Sequence, residues 1–395
     1  MAERNLNFDT IIDRRRTNSL KYDFAEKNGM PEDILPLWVA DMDFRISSYI
    51  QDALIKQAEH GIYGYSESGG SYFEAVSAWM KDHHGWDVEE EWLVKTPGIV
   101  YALATAVRAF TKEGDGVLIQ QPVYYPFSKV ILDNGRKIVN SGLIQDKDGR
   151  YQIDYDDFEK KIIKEQVKLF ILCNPHNPVG RVWSREELET IGDICKKHQV
   201  IVVSDEIHFD FVWEGEHHVF ASLKEEYRDM AVVCTAPSKT FNIAGLQASN
   251  IFIPAGELRK RFLDAMRPTG ISEINGAGLV ACEAAYRHGE EWYQGVCEYI
   301  KGNMQFVKEY LHKYIPKISM CMPEGTYLVW LDFRQLALSE EELEDLVIKK
   351  AGLWLDKGTI FGKAGLGFQR VNVACPRKVL ETALCRLKAA IDQEN

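Results

Sequence analysis

The sequence predicts an α/β protein, a mostly parallel sheet covered by helices on both faces. Three observations point there. Short apolar runs bounded by turn residues recur at 92–96, 116–120, 168–173, 200–204, 231–234 and 250–253, as expected of strands buried on both faces. Helical stretches separate them, and strands alternating with helices imply parallel strands joined by crossovers. The chain has 395 residues, 46% of them hydrophobic, enough for one large body and a smaller lobe.

Taken in order, residues 1–47 read as polar and irregular, with the basic cluster Arg14-Arg15-Arg16 and an apolar patch at 35–40. The run 92–96 is a strand, Pro97-Gly98 breaks it, and 99–110 is a helix. The clearest later helix is 184–198, where Ser184 and Glu187 are spaced as a capping box. Composition changes near residue 287. A long helical pattern covers 290–314, a strand 327–331, a second capped helix 339–350, a short strand 371–373 and a terminal helix 379–391. This α+β tail suggests a smaller domain made of 1–47 and 287–395, set against a larger one of 48–286.

The charge balance excludes several classes. Lys and Arg number 47 against 59 Asp and Glu, a net −12 that argues against a general nucleic-acid binder. No apolar run reaches the roughly 18 residues a membrane helix needs, and no secretory signal is read at the N-terminus. Eight cysteines without a CxxC pair suggest reduced thiols in a cytoplasmic protein, with no disulfide frame and no metal site.

Ligands of open α/β sheets bind beyond the carboxyl ends of the strands. The residues just past the predicted strands are Thr96-Pro97-Gly98 at a helix start, Pro122-Val123-Tyr124-Tyr125, Asn174-Pro175-His176-Asn177-Pro178, Asp205-Glu206-Ile207-His208 and Ala236-Pro237-Ser238-Lys239. An anion-ready helix start, an aromatic pair, an amide, a carboxylate and a lysine describe a site for something flat, phosphorylated and reactive toward an amine.

With those segments the chain resembles the fold-type I pyridoxal-phosphate (PLP) enzymes of the class I/II aminotransferase superfamily. It is most similar to the cystathionine β-lyase branch that includes cystalysin and the MalY and PatB type C–S lyases. The stretches that carry the likeness are Leu37-Trp38-Val39-Ala40-Asp41-Met42-Asp43-Phe44, Tyr63-Gly64-Tyr65, Cys173-Asn174-Pro175-His176-Asn177-Pro178-Val179-Gly180-Arg181, Ser204-Asp205-Glu206-Ile207-His208, Ala236-Pro237-Ser238-Lys239-Thr240-Phe241 and Phe368-Gln369-Arg370-Val371-Asn372. The resemblance implies a PLP-binding large domain around a seven-stranded sheet, and a homodimer with shared active sites.

It also implies a role for each residue. Lys239 forms the Schiff base with the cofactor and then serves as catalytic base. Asp205 keeps the pyridine nitrogen protonated. Asn177 donates to the ring's 3′ oxygen, and His208 stands where the wider family commonly has a tyrosine in contact with that oxygen. Tyr124 stacks on the ring, and Tyr125 lies near the substrate or leaving group. Gly98, Ile99 and Ser238 meet the phosphate, joined by Tyr65 from the neighbouring subunit. Arg370 pairs with the α-carboxylate of an amino-acid substrate, and backbone around Ala40 closes the same end. Gln247 departs from the broad pattern, which has an arginine eight residues after the lysine. The Arg14–Arg16 cluster reads as solvated or as a subunit contact. A metal reading from His208, His217 and His218 has no supporting spacing.

The implied reaction is β-elimination from cysteine S-conjugates such as cystathionine, giving thiol, pyruvate and ammonia. Transamination shares every step up to the carbanion and stays open as the alternative. A regulatory protein contact in addition to catalysis, as in MalY-type proteins, stays open as well.

Overall fold

The structure, a computed structural model, describes residues 2–271 and 273–393. A seven-stranded sheet runs in the order Leu93–Thr96, Ser249–Phe252, Ala231–Thr235, Ile201–Asp205, Leu169–Cys173, Gly116–Ile119 and Lys137–Asn140. Ser249–Phe252 is antiparallel to both of its neighbours, and the other pairings are parallel.

Successive side chains of a strand face opposite ways, which here fills two cores. Val117, Ile119, Leu169, Ile171, Val203 and Val232 pack under Ile99–Phe110, Pro126–Asp133 and Gly256–Met266. Leu118, Phe170, Leu172, Val202 and Val233 face the other way, toward Gly70–His84, Arg185–Lys197 and Gly276–His288. This two-sided burial is why the strands were readable as continuous apolar runs. Lys137–Asn140 was not among them. It is an edge strand with Lys137 exposed and only Val139 buried, so its sequence carries little apolar signal.

Both expected capping boxes form. Ser184 caps Arg185–Lys197 with Glu187, and Ser339 caps Glu340–Glu344 with Glu342. The second helix then widens into a π-helical stretch over Asp345–Lys350. Glu290–Tyr314 is one continuous helix.

A second sheet is antiparallel throughout, in the order Ser319–Met320, Leu328–Asp332, Phe368–Asn372, Asp356–Lys357. The N-terminal segment is sewn onto this part of the molecule. Leu35–Pro36 pairs in parallel with Leu353–Trp354. The Asn372 amide donates to Leu37 O at 2.8 Å, and its Nδ2 donates to Val39 O at 2.7 Å and Asp41 O at 2.6 Å.

Arg14 needs a correction. It is not a solvated cation: its guanidinium donates to Asp41 Oδ2 at 2.6 Å and Asp43 Oδ1 at 2.7 Å. Lys21, its side chain fully buried, binds Asp43 Oδ2 at 2.8 Å. The partners lie far along the chain, so the triple-arginine motif does not reveal them. All eight cysteines are unpaired, five of them buried. Among the described residues, no helix is long and apolar enough to cross a membrane.

Candidate active site

The sheet brings the strand ends together. Cys173 and Asp205 are register partners across one strand pair, and Asp205 and Cys234 across the next. Beyond Thr235 the chain makes a single helical turn, Pro237–Thr240, that carries Lys239 back over these ends. The result is a cavity of 140 Å³ whose lining includes Ala40, Ile99, Val100, Tyr124, Asn177, Asp205, His208, Ser238 and Lys239.

Burial sets the electrostatics of this cavity. Desolvation lowers the Lys239 amine to about 8; the Arg370 charge adds to the shift, while Asp41 and Asp205 oppose it. Its Nζ donates to Ala40 O at 2.6 Å. Burial raises Asp205 to about 7, opposed by the Ile207 amide that donates to Oδ1 at 3.2 Å; Glu206 raises it further and Lys239 opposes. Lysine and carboxylate are thus drawn toward each other on the pH scale. Burial, with the nearby Lys239 and Arg370 charges, drives His208 well below the usual imidazole range, so the ring is neutral. Its Nδ1 is buried without a hydrogen-bond partner. The ring meets Tyr327 edge-on, centroids 5.6 Å apart.

Arg370 stands beside the cavity, buried in the second sheet. Nη1 donates to Asn177 Oδ1 at 3.0 Å and Nη2 to Trp38 O at 2.8 Å. Nη2 also bonds Asp356 Oδ2, and the guanidinium lies over the Phe361 ring at 4.9 Å. Nε is buried without a partner. Asn177 therefore links the arginine to the cavity.

The helix start of Ile99–Phe110 closes the opposite side. Gly98 has φ 125 and ψ 160, a conformation essentially restricted to glycine. Its amide is taken by Ser249 Oγ at 3.1 Å. Ile99 and Val100 line the cavity, and Gly98 does not. Tyr125 does not join the Lys239 cavity. It lines a separate one of 280 Å³ with Trp38, Asp356 and Trp354. Tyr65 is fully exposed and is not among the residues that line this cavity. Gln247 is exposed, with a left-handed backbone at φ 50.

Sequence reasoning missed Tyr327, Ser249 and Asp356. Tyr327 OH donates to Ala40 O at 3.0 Å, the oxygen that Lys239 also uses. Asp356 is the cross-strand partner of Arg370. None of the three sits in a motif: strand pairing brings in Ser249 and Asp356, and the Tyr327 hydroxyl reaches Ala40 from far along the chain. His217 is engaged with Glu206 Oε2 at 2.9 Å, away from His208.

Comparison with known proteins decides the family. The model for aminotransferase class I and II matches residues 33–387. The chain belongs to the class I and II aminotransferase family. Within it, the chain is 45% identical to Cystathionine beta-lyase PatB of Bacillus subtilis (strain 168), across 98% of this chain and 100% of that protein. Protein MalY of Escherichia coli (strain K12) is 32% identical over 97% of this chain and 98% of its own length. Among solved structures, cystalysin from Treponema denticola, which contains a pyridoxal 5′-phosphate cofactor, matches with a TM-score of 0.95. It is 40% identical, covering 98% of this chain and 99% of that one. A PLP-bound putative aminotransferase from Clostridium difficile 630 also matches at 0.95, with 44% identity and coverage of 98% and 99%.

Proposed function

We propose that the protein is a pyridoxal-5′-phosphate-dependent C–S β-lyase that cleaves cysteine S-conjugates such as cystathionine into thiol, pyruvate and ammonia. The observation that carries this reading is Lys239, an amine held near neutrality in one cavity with Asp205, His208 and a helix start. The full-length likeness to PatB supports elimination over amino transfer.

The cavity's chemistry fits the cofactor. His208 Nδ1 is a buried polar atom still without a partner, and the amides at the start of Ile99–Phe110 suit a phosphate. When bound, PLP supplies an aldehyde for amines and a ring that accepts electrons from the substrate Cα. Lys239 would hold that aldehyde, Asp205 the ring nitrogen, and Asn177 with His208 the 3′ oxygen. Tyr124 would cover the ring face, and Ile99, Val100 and Ser238 would hold the phosphate, with Gly98 shaping the turn.

In the reaction, Arg370 orients the substrate by its α-carboxylate, beside the Ala40 carbonyl. Lys239 Nζ, released to take a proton, accepts the one on Cα. The C–S bond then breaks, with its electron pair leaving on sulfur as thiolate. Hydrolysis of the remaining three-carbon fragment gives pyruvate and ammonia. His208 stays neutral, so it can donate a hydrogen bond without adding charge. Tyr125 lines a cavity separate from that of Lys239, which gives no support to a role at the leaving group.

We read the chain as two lobes, 48–286 and 1–47 with 287–395, a division supported by the pairing of Leu35–Pro36 with Leu353–Trp354. A homodimer is supported by the exposed run Ile62, Tyr63 and Tyr65, the last of which would reach a partner's phosphate. Eight unpaired cysteines support a cytoplasmic setting.

The test uses wild type and Lys239→Ala with L-cystathionine. Pyruvate and free thiol in equal amounts, lost in the variant, are expected. Turnover that needs 2-oxoglutarate and releases no thiol would replace the lyase with an aminotransferase.

A further inference from the structure

Asp356 is a buried carboxylate with no place in the reaction described so far. It stands directly across the strand pair from Arg370, and its Oδ2 binds Nη2 of that guanidinium. Every bond of the guanidinium is to this chain: Asn177 Oδ1, Trp38 O and Asp356, with Nε alone unpartnered. Asp356 also borders the 280 Å³ cavity lined by Tyr125 and Trp38.

Arg370 is thus already neutralised by a tethered carboxylate. A substrate carboxylate arriving on the same guanidinium puts two anions on one buried cation. In a desolvated site two such carboxylates do not both stay ionised, and one is driven to take a proton. The substrate carboxylate is the more acidic of the two, because an α-carboxyl titrates below a side-chain carboxyl. Burial already pushes Asp356 up, with Arg370 opposing.

We propose that Asp356 is the resting counter-ion of Arg370 and becomes protonated when a substrate carboxylate binds, so that it sets the pH dependence of substrate affinity. This rests on the reading that Arg370 receives the α-carboxylate. As a neutral acid, Asp356 keeps one hydrogen-bonding oxygen for Nη2 while giving up its charge.

The other ionisable groups around Asp356 are few. Tyr125 and Tyr124 feel its charge, and burial holds both phenols protonated through the neutral range. Lys357, its chain neighbour, is paired with Glu344 at 2.6 Å. Lys239 and His208 lie in the adjoining cavity. Comparison of wild type with Asp356→Asn cancels their contributions, since Asn keeps the oxygen that accepts from Nη2 and removes only the titration.

The probe is 2-hydroxy-3-(methylsulfanyl)propanoate, whose α-hydroxyl and β-sulfur keep its carboxyl more acidic than a side-chain carboxyl and which lacks the amine needed to react with the cofactor. Its binding to holoenzyme is measured by calorimetry from pH 5.5 to 9 in buffers of different ionisation enthalpy. Wild type is expected to take up close to one proton per ligand in part of that range, with Kd rising up to about tenfold per pH unit there. Asp356→Asn is expected to bind with a flat Kd, several-fold tighter at pH 8.5, and with that uptake gone. Cofactor absorbance and thermal unfolding check that the variant is intact, and Asp356→Ala repeats the measurement if it is not. Equal proton uptake in wild type and variant, or weaker binding by the variant, overturns the proposal. Arg370→Lys separates the two readings: ligand affinity unchanged by that substitution would overturn the role of Arg370 itself.

Discussion

In the cofactor-free protein, Lys239 should titrate near pH 8, and the rate of PLP capture should report it. Burial lowers the amine to about 8, well below an ordinary lysine. At pH 7 an amine of that kind is neutral in roughly one molecule in ten, against roughly one in three thousand for an exposed lysine. Only the neutral amine attacks an aldehyde, so the difference is roughly 300-fold in reactive amine. The capture rate, followed by stopped-flow absorbance, should climb about tenfold per pH unit below pH 8 and level off above it. A parallel series with n-butylamine removes the cofactor's own titrations. The charges near the amine supply a second arm. Burial pushes Asp41 up, but its hydrogen bond to Arg14 and the charge of Lys21 hold it below the usual carboxylate range. That ionised Asp41 raises the lysine. Asp41→Asn should therefore move the break in the profile to lower pH. A rate that keeps climbing without a break to pH 10 would show that the amine is solvated and would refute the reasoning. So would an upward move of the break in Asp41→Asn.

Two other perturbations test the helix start. Gly98→Ala forces an L-residue to φ 125, with nothing within 4 Å of the added Cβ. The loss is conformational, about 1–3 kcal/mol of stability read from the denaturant midpoint, and it should weaken PLP affinity as well. Ser249→Ala strands the Gly98 amide and removes the buried bonds to Thr96 O at 2.9 Å and Thr96 Oγ1 at 2.7 Å. It should cost about 1–3 kcal/mol, while Ser249→Thr, which restores a hydroxyl, should recover part of it.

The parts of this fold that the sequence disclosed share one physical origin. Strands buried on both faces must be apolar at every position, and Leu169–Cys173 or Ala231–Thr235 shows that directly. Lys137–Asn140 is buried at a single position and left no such trace. Direction is another matter. Nothing in the composition of Ser249–Phe252 says that it runs antiparallel. The reason lies in residues 236–248, which hold one helical turn and one 3-10 turn in place of the long crossover helix that joins parallel neighbours. For the site, residues that follow strands were legible because strand ends converge. Asp356 and Ser249 act through pairing across strands and Tyr327 through a hydroxyl bonded to a distant carbonyl, and neither is written in local sequence. Arg14 was misread for the same reason, since Asp41 and Asp43 reach it from another segment.

That antiparallel return explains where the lysine stands. A chain leaving Thr235 for a parallel neighbour would cross over a sheet face and carry Lys239 away from Asp205. Reversal within 236–248 keeps the lysine above the strand ends, where the sheet leaves space. The amine's partner comes from elsewhere. Ala40 O accepts from both Lys239 and Tyr327, and Ala40 is positioned because Asn372 bonds the residues on either side, Val39 and Asp41. Asn372 in turn follows Arg370 by two positions on one strand, so both side chains lie on the same face of the second sheet. Arg370, the proposed carboxylate ligand, and Asn372, which holds the carbonyl for the lysine, thus stand on one strand. Any displacement of that sheet against the larger one would misplace the arginine and unseat the lysine's hydrogen bond together. The hydrogen bond between Lys239 and Ala40 therefore depends on how the second sheet packs against the larger one.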